Sequence, residues 1–393
     1  MVEENLLDLL EDSRFKEVKR LRKKHIPLRL HWYLDEDYFS EELLGFHSSE
    51  IERMKRVCEE AYFVFEKATE KILSDRKLSE IGIPAHFEEC IQYSWKNKET
   101  HPLLYGRFDI NGGLGNSYGK IIEFNADTCS TLPETTLWQS TQLDLLKGKK
   151  ESFNNLQPEI TDCLKKLKTK ITEPNPIFLG SSFGYIEDEL NVDCVLDSAN
   201  EAGFTPFYLD LEKVIFSDEG IFYPVGDEYE KVDVWFKMIP WDWIFNEEPE
   251  LSKLLSEIII KEKATVLNPA YTAIWQNKKF LAYITKYFPN NNIAETYLQP
   301  GFHINDYVKK PVYGRLGENI QIQRPGEMPQ ESEGDYGDQD VIYQRYHALP
   351  KDSERYSYQF GMFYTTKPSA LNVRAQESKI ITDDCEFMSH FIL

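Results

Sequence analysis

The sequence predicts a mixed α/β (α+β) chain, and three observations carry that expectation. Apolar residues recur at helical spacing after residue 47. Strict two-residue alternation marks the segments 105–110 and 120–125, and strand and helix patterns alternate through the middle of the chain. At 393 residues the chain exceeds a typical single-core domain, so two or three packed subregions with ample apolar material are expected. The formal charge of -21 gives no basic footprint for a nucleic-acid backbone, so no nucleic-acid partner is expected. The six cysteines lack Cys-x-x-Cys spacing and the start of the chain lacks a signal-peptide pattern, which together point to a reducing cytoplasm. The most apolar stretch, around Leu251 to Ile260, is interrupted by Ser252, Lys253, Ser256 and Glu257, so no membrane partner is expected either.

In chain order, residues 1 to about 75 read as helical, with mixed-charge stretches such as Phe15 to Arg20. A well-marked helix follows His47, where Ser49 and Glu52 form a capping-box pattern. Its apolar stripe is Met54, Val57, Cys58, Phe65, Ala68, Ile72 and Leu73.

Next come two alternating segments, Tyr105 to Ile110 and Lys120 to Asn125, joined by the glycine- and asparagine-rich stretch 111–119 that suits a hairpin loop. Alternation sets Phe108, Ile110, Ile122 and Phe124 on one face and Arg107, Asp109, Glu123 and Asn125 on the other. Two carboxylates and an amide oxygen offer hard oxygen ligands for Mg²⁺. The guanidinium beside them suits phosphate or carboxylate oxygens, which is the chemistry of an ATP-dependent ligase. Taken alone, the same pattern is better described as an amphipathic hairpin whose polar face meets water.

Thr135 to Leu146 reads as helix, Ile177 to Gly180 as a strand, and Val192 to Ala202 as helix. Strand patterns at 207–209 and 232–236 and a helix at Leu251 to Lys263 complete a β-α-β arrangement, broken at Asn268-Pro269. Tyr307 to Val312 and the segment ending at Ile322 read as strand, glycine loop, strand. Alternation turns Lys310 inward with Val308 and Val312 and leaves Lys309 solvated. Gly314 and Gly317 allow backbone amides to approach anionic oxygens, with Arg315 as added charge; an ordinary turn would look the same. No Walker A or dinucleotide fingerprint occurs. The stretch 325–339, rich in Gly, Pro, Glu and Asp, reads as an exposed mobile loop. Val341 to His347 reads as a strand whose Gln344 could meet an adenine or simply be buried.

Taken in order, these segments resemble the synthetase domain of the glutathionylspermidine synthase family, an ATP-grasp fold in a permuted arrangement. The resemblance runs over most of the chain. It is carried by Gly106-Arg107-Phe108-Asp109, Glu123-Phe124-Asn125-Ala126-Asp127-Thr128, Glu187-Asp188, Phe236 to Trp243, Asn277-Lys278-Lys279, Lys309-Lys310-Pro311 with Gly314 to Ile320, Ile342-Tyr343-Gln344 and Ser389-His390-Phe391. The resemblance implies one synthetase unit over 1–393. Residues 1–95 would be mainly helical, 96–265 would hold the metal-site hairpin and an α/β substrate region, and 266–393 would bind the nucleotide. No amidase domain is expected.

By the same resemblance, Asp109, Glu123 and Asn125 match Mg²⁺ ligands, and Arg107 matches the residue that stabilises the anionic intermediate. Lys278 and Lys310 match lysines that hold the ATP phosphates, the Gln344 strand lies along the adenine, and Arg374 matches a late arginine near the nucleotide. Thr128 and Ser130 fall where hydroxyls contact the acid substrate, and Glu187, Asp188 and Asp384 where acidic groups receive a polyamine. The implied cofactors are ATP and Mg²⁺. The implied reaction is ligation of a glutathione-like acid to a polyamine-like amine through an acyl phosphate. Two alternatives stand beside it: a catalytically inactive nucleotide-binding regulatory module, and an ATP-grasp peptide or amino-acid ligase with a different amine donor. The sequence is compatible with an oligomer and does not fix one.

Overall fold

Helix Ser48–Ser74 lays its buried residues Met54, Cys58, Ala61, Phe65, Ala68 and Ile72 on an antiparallel sheet. That sheet has the strand order Glu386–Met388, Pro368–Gln376, Ser357–Tyr364, Gly106–Asn111, Lys120–Asn125. The computed structural model describes residues 9–34, 38–115, 117–146, 150–301, 304–353 and 356–393. Asn116 in the hairpin loop and residues 1–8 and 35–37 of the stretch read as helical lie outside them. Phe65 meets Phe108 and Phe124 edge-on at 5.8 and 5.5 Å between ring centroids, and those two rings stack at 3.8 Å. Burial of each such ring contributes roughly 1.5–3 kcal/mol, so the apolar side of the hairpin is anchored and its polar side is set.

The start of that helix differs from the capping pattern expected. His47 is the cap, and the Glu50 carboxylate accepts its backbone N–H at 2.8 Å, while Glu52 pairs with Lys55. Glu50 is claimed by a distant partner, since Arg14 reaches it in a buried ion pair at 2.8 Å. The stretch from Phe15 also departs from helix. Phe15–Glu17 is a strand antiparallel to Glu42–Phe46, which in turn runs parallel to His390–Ile392. Pairing with residues far along the chain overrides the local pattern there.

The middle of the chain forms a parallel sheet in the order Thr265–Leu267, Val234–Lys237, Ile177–Ser181, Thr205–Tyr208. Helices Ile186–Glu201 and Pro249–Ile260 serve as its crossovers, as the β-α-β pattern predicts. A further antiparallel sheet follows the order Thr296–Tyr297, Val341–Arg345, Tyr307–Pro311, Gln321–Gln323, Gln330–Glu331. Its last strand lies inside the mostly exposed stretch 325–339.

The parallel sheet is tied to the hairpin by buried polar contacts. Lys237 Nζ donates to Asp127 Oδ1 at 2.8 Å with both side chains fully buried, and the Trp241 N–H donates to Asp127 Oδ2 at 2.7 Å. Burial pushes the Asp127 carboxyl up and the Lys237 ammonium down, each against the pull of the other's charge. The Asn268 side chain accepts from Leu104 N at 2.8 Å and donates to the carbonyls of Tyr105 and Asp127 at 2.9 and 3.0 Å. The hairpin is therefore fixed at the residues just before and just after its two strands.

Candidate active site

Within the hairpin, Arg107 stands opposite Asn125 and Asp109 opposite Glu123, so alternation carries all four to one face. The register shifts after Asp109, and Ile110 pairs with Ile121. As a result Ile121 is the buried residue and Ile122 is half-buried, the reverse of simple alternation.

The polar face is largely shielded from water, with Glu123 and Asn125 half-buried. Arg107 is 5% exposed and Asp109 1%. The covering sheet supplies Gln344, which donates to the Ile122 carbonyl at 2.9 Å and accepts from Lys310 Nζ at 2.9 Å. Lys310 is the inward lysine and is buried, as its position in the strand predicts, while Lys309 is half-buried. Lys278, at the cap of helix Lys279–Tyr287, is buried too. Its Nζ donates to the Gly314 carbonyl at 2.7 Å and lies 3.4 Å from Glu123.

Asp109 is the hub of these contacts. Arg107 Nε reaches its Oδ1 at 2.7 Å, and Arg374 Nη2 reaches its Oδ2 at 2.7 Å. Arg374 also donates to Gln359 at 2.6 Å. Burial opposes the charge on Arg107, yet the Asp109 carboxylate more than offsets this and raises its pKa. Burial likewise opposes the charge on Glu123, but Lys278 and Lys310 hold its carboxyl well below the usual range. Lys310 is pushed down to about 8 by burial, against the pull of Glu123. The carboxylates are thus paired with cations and do not require a metal to stand together. Among the described residues four cations surround two carboxylates, an arrangement with spare positive charge for an anion.

The fit to Mg²⁺ rests on the donor set. No group of three or more His, Cys, Asp or Glu side chains is placed to hold a metal ion among the described residues. Asp109 and Glu123 face each other across the strands and supply hard oxygens, the kind of donor that would hold Mg²⁺. The Asn125 amide nitrogen donates to both carboxylates at 3.3 and 3.0 Å, and Gln276 approaches its oxygen at 3.5 Å. For its oxygen to join a metal set, the amide would have to turn over.

The glycine loop is held from three sides. Gly317 has φ +72°, and a Cβ there would lie 2.2 Å from the Ile381 carbonyl oxygen, so the close approach requires glycine. Gly314 packs on Pro311. Arg315 spends its charge on Asp242 at 2.6 Å and lies over the Trp243 ring.

The expected substrate residues come from separate segments. Thr128 is half-buried, and Ser130 meets Arg107 Nη1 through its backbone carbonyl at 3.1 Å. The hydroxyl engaged by Arg107 belongs to Thr131, at 3.2 Å, and Asn372 donates to it at 2.7 Å. Glu187 and Asp188 lie in the first turn of helix Ile186–Glu201, with Glu187 exposed and Asp188 half-buried. Burial and then the charge of Glu187 push the Asp188 carboxyl up to about 6. Asp384 is exposed. Sequence reading did not find Thr131, Asn372, Gln359, Gln276 or Glu134. None belongs to a local pattern, and their partners lie far away along the chain.

Several known proteins are similar to this chain in sequence or in fold. A family model described as glutathionylspermidine synthase preATP-grasp matches residues 14–393. A putative acid–amine ligase of Haemophilus influenzae is 26% identical, over 78% of this chain and 80% of the relative. The bifunctional glutathionylspermidine synthetase/amidase of Escherichia coli and the trypanothione synthetase of Crithidia fasciculata are each 24% identical, over 79% and 82% of this chain. The matched region is 52% of each of those two relatives, so the chain spans about half their length. A glutathione synthetase-like effector from Globodera pallida superposes with a TM-score of 0.58, 9% identity and 90% coverage of both chains, a likeness of fold that is of ATP-grasp type. No described helix is long and apolar enough to cross a membrane. With the family model matched from residue 14 to the last residue, this chain belongs to the glutathionylspermidine synthase preATP-grasp family, whose members are ATP-dependent acid–amine ligases.

Proposed function

We propose that this chain joins a peptide-like acid to a polyamine-like amine with cleavage of ATP, with glutathione and spermidine as the reference pair. The observation that carries the reading is the buried polar face, where Arg107, Arg374, Lys278 and Lys310 surround Asp109 and Glu123. That charge pattern suits a polyphosphate, and the carboxylates offset the mutual repulsion of the cations when no ligand is present. Asp109, Glu123 and the Asn125 oxygen would hold Mg²⁺, which when bound adds positive charge at the phosphates.

The chain's own residues account for the rest. Lys278 and Lys310 hold phosphate oxygens beside the Gly314 to Gly317 loop, and the Gln344 strand borders the base. The acid carboxylate attacks the terminal phosphorus to give an acyl phosphate and ADP. Attack by the amine then places negative charge on the acyl oxygen, and Arg107, rigidly held by Asp109 and Thr131, is oriented to meet it. Thr128 and Ser130 border the acid, and Glu187 and Asp188 receive the cationic amine.

The test is phosphate release from Mg·ATP with panels of acids and amines, glutathione and spermidine among them. Release that requires both an acid and an amine supports ligation. Nucleotide binding without turnover for any pair replaces this reading with a regulatory one.

A further inference from the structure

The turn that follows Ser130 holds a carboxylate for which the scheme above has no use. Glu134 opens a π-helical turn, Glu134–Trp138, and is 4% exposed. The hydroxyls of Tyr33 and Tyr38 both donate to its Oε1, at 3.2 and 3.0 Å. Its Oε2 is buried and has no hydrogen-bond partner among the described residues. Leaving such an oxygen unpaired costs on the order of 1–3 kcal/mol, so a purely structural carboxylate would be expected to use both oxygens.

The turn that leads into Glu134 is hydrogen-bonded both to Arg107 and to the helix that carries Glu187 and Asp188. Three residues before Glu134, Thr131 is gripped by Arg107 and Asn372, and the Thr131 carbonyl accepts the Thr135 N–H at 3.2 Å. In the same turn, Asn191 bonds Leu132 N at 2.9 Å and the Glu187 carbonyl at 2.8 Å, which brings the start of helix Ile186–Glu201 against the turn. The charge of Glu187 acts on both Asp188 and Glu134. Of these three acidic groups Glu187 is exposed, Asp188 half-buried and Glu134 buried.

We propose that Glu134 is the general base that takes the proton from the incoming ammonium, an assignment that rests on the ligase reading above. The ammonium gives one proton to Glu134 Oε2 and becomes a neutral amine. The nitrogen lone pair forms the bond to the acyl carbon, and the bond from that carbon to the phosphate oxygen breaks with its electron pair on the phosphate. The second nitrogen proton leaves with the phosphate, and Glu134 returns its own proton to water. Burial pushes the Glu134 carboxyl up to about 7, with the tyrosine hydroxyls drawing it down and Glu187 adding to the rise. A base in that range suits catalysis near neutral pH. The other titratable groups facing it are Tyr33, Tyr38 and Cys194, all raised by burial and neutral there, and Glu187.

Hydroxylamine is unprotonated at neutral pH and captures an acyl phosphate without a base, which separates this role from a structural one. With Mg·ATP and glutathione, Glu134→Gln is expected to form hydroxamate within about twofold of wild type, while amide formation with spermidine falls about 100-fold or more. The limb of the wild-type pH profile near 7 disappears with it, and Glu134→Asp recovers part of the amide rate. Equal losses in both reactions, or an unchanged amide rate, overturn the assignment. A wild-type protein that yields neither ADP nor hydroxamate with glutathione or any other acid offered overturns the ligase reading itself, and the base with it.

Discussion

Asp109 carries the charge balance of the site, because Arg107, Arg374 and Asn125 all converge on its two oxygens. Asp109→Ala leaves two arginines without their counter-charge. It is expected to abolish turnover and to lower stability by about 3–5 kcal/mol, read by urea unfolding. Asp109→Asn, which keeps the size and part of the hydrogen bonding, should lose less stability and the same turnover. At Asp188 the prediction concerns pH. Its carboxyl is raised to about 6, so its negative charge is present above that pH and is lost as pH falls through it. The KM for a cationic amine should therefore rise below pH 6, and Asp188→Asn should show the weaker binding at all pH values. At this scale the sequence is legible where one strand decides the outcome. Alternation alone separates Lys310 from Lys309 and gathers Arg107 with Asp109. It does not show that Arg374 and Thr131, from distant segments, complete the same contacts.

At the scale of elements, the hairpin is readable as two strands and a loop, and Phe108, Ile110 and Phe124 are buried as the period-two pattern requires, while Ile121 takes the buried place that the pattern gives to Ile122. The bulge after Asp109 was not readable, since nothing in Ile110 or Ile121 marks the extra residue. The capping residue of helix Ser48–Ser74 was misplaced for a related reason: Glu50 is fixed partly by Arg14, and local spacing has no knowledge of that. The glycine loop gives a sharp expectation. Gly317→Ala meets both a positive φ and the Ile381 carbonyl, so the loop must move away from segment 380–382. ATP affinity should fall about tenfold or more, measured by titration of Mg·ATP. Gly314→Ala, which meets only Pro311 at contacts of 3.1–3.2 Å, should be milder.

The whole molecule depends on holding a parallel sheet, an antiparallel sheet and a covering sheet against one polar face. The Asp127–Lys237 pair sits at that junction with both side chains fully buried. Asp127→Ala strands a buried lysine and should cost about 3–5 kcal/mol of unfolding free energy. Alternation of strand and helix made the parallel layer legible in advance. The order in which the 106–125 hairpin joins strands from 357–388 was not, because that pairing spans hundreds of residues and leaves no local trace. Under the proposed function, this assembled face activates a carboxylate as an acyl phosphate. The direct measurement uses the acid that supports turnover, labelled with heavy oxygen in its carboxylate, together with Mg·ATP and amine. The account predicts one labelled oxygen in each phosphate released. Phosphate formed without the label would contradict it.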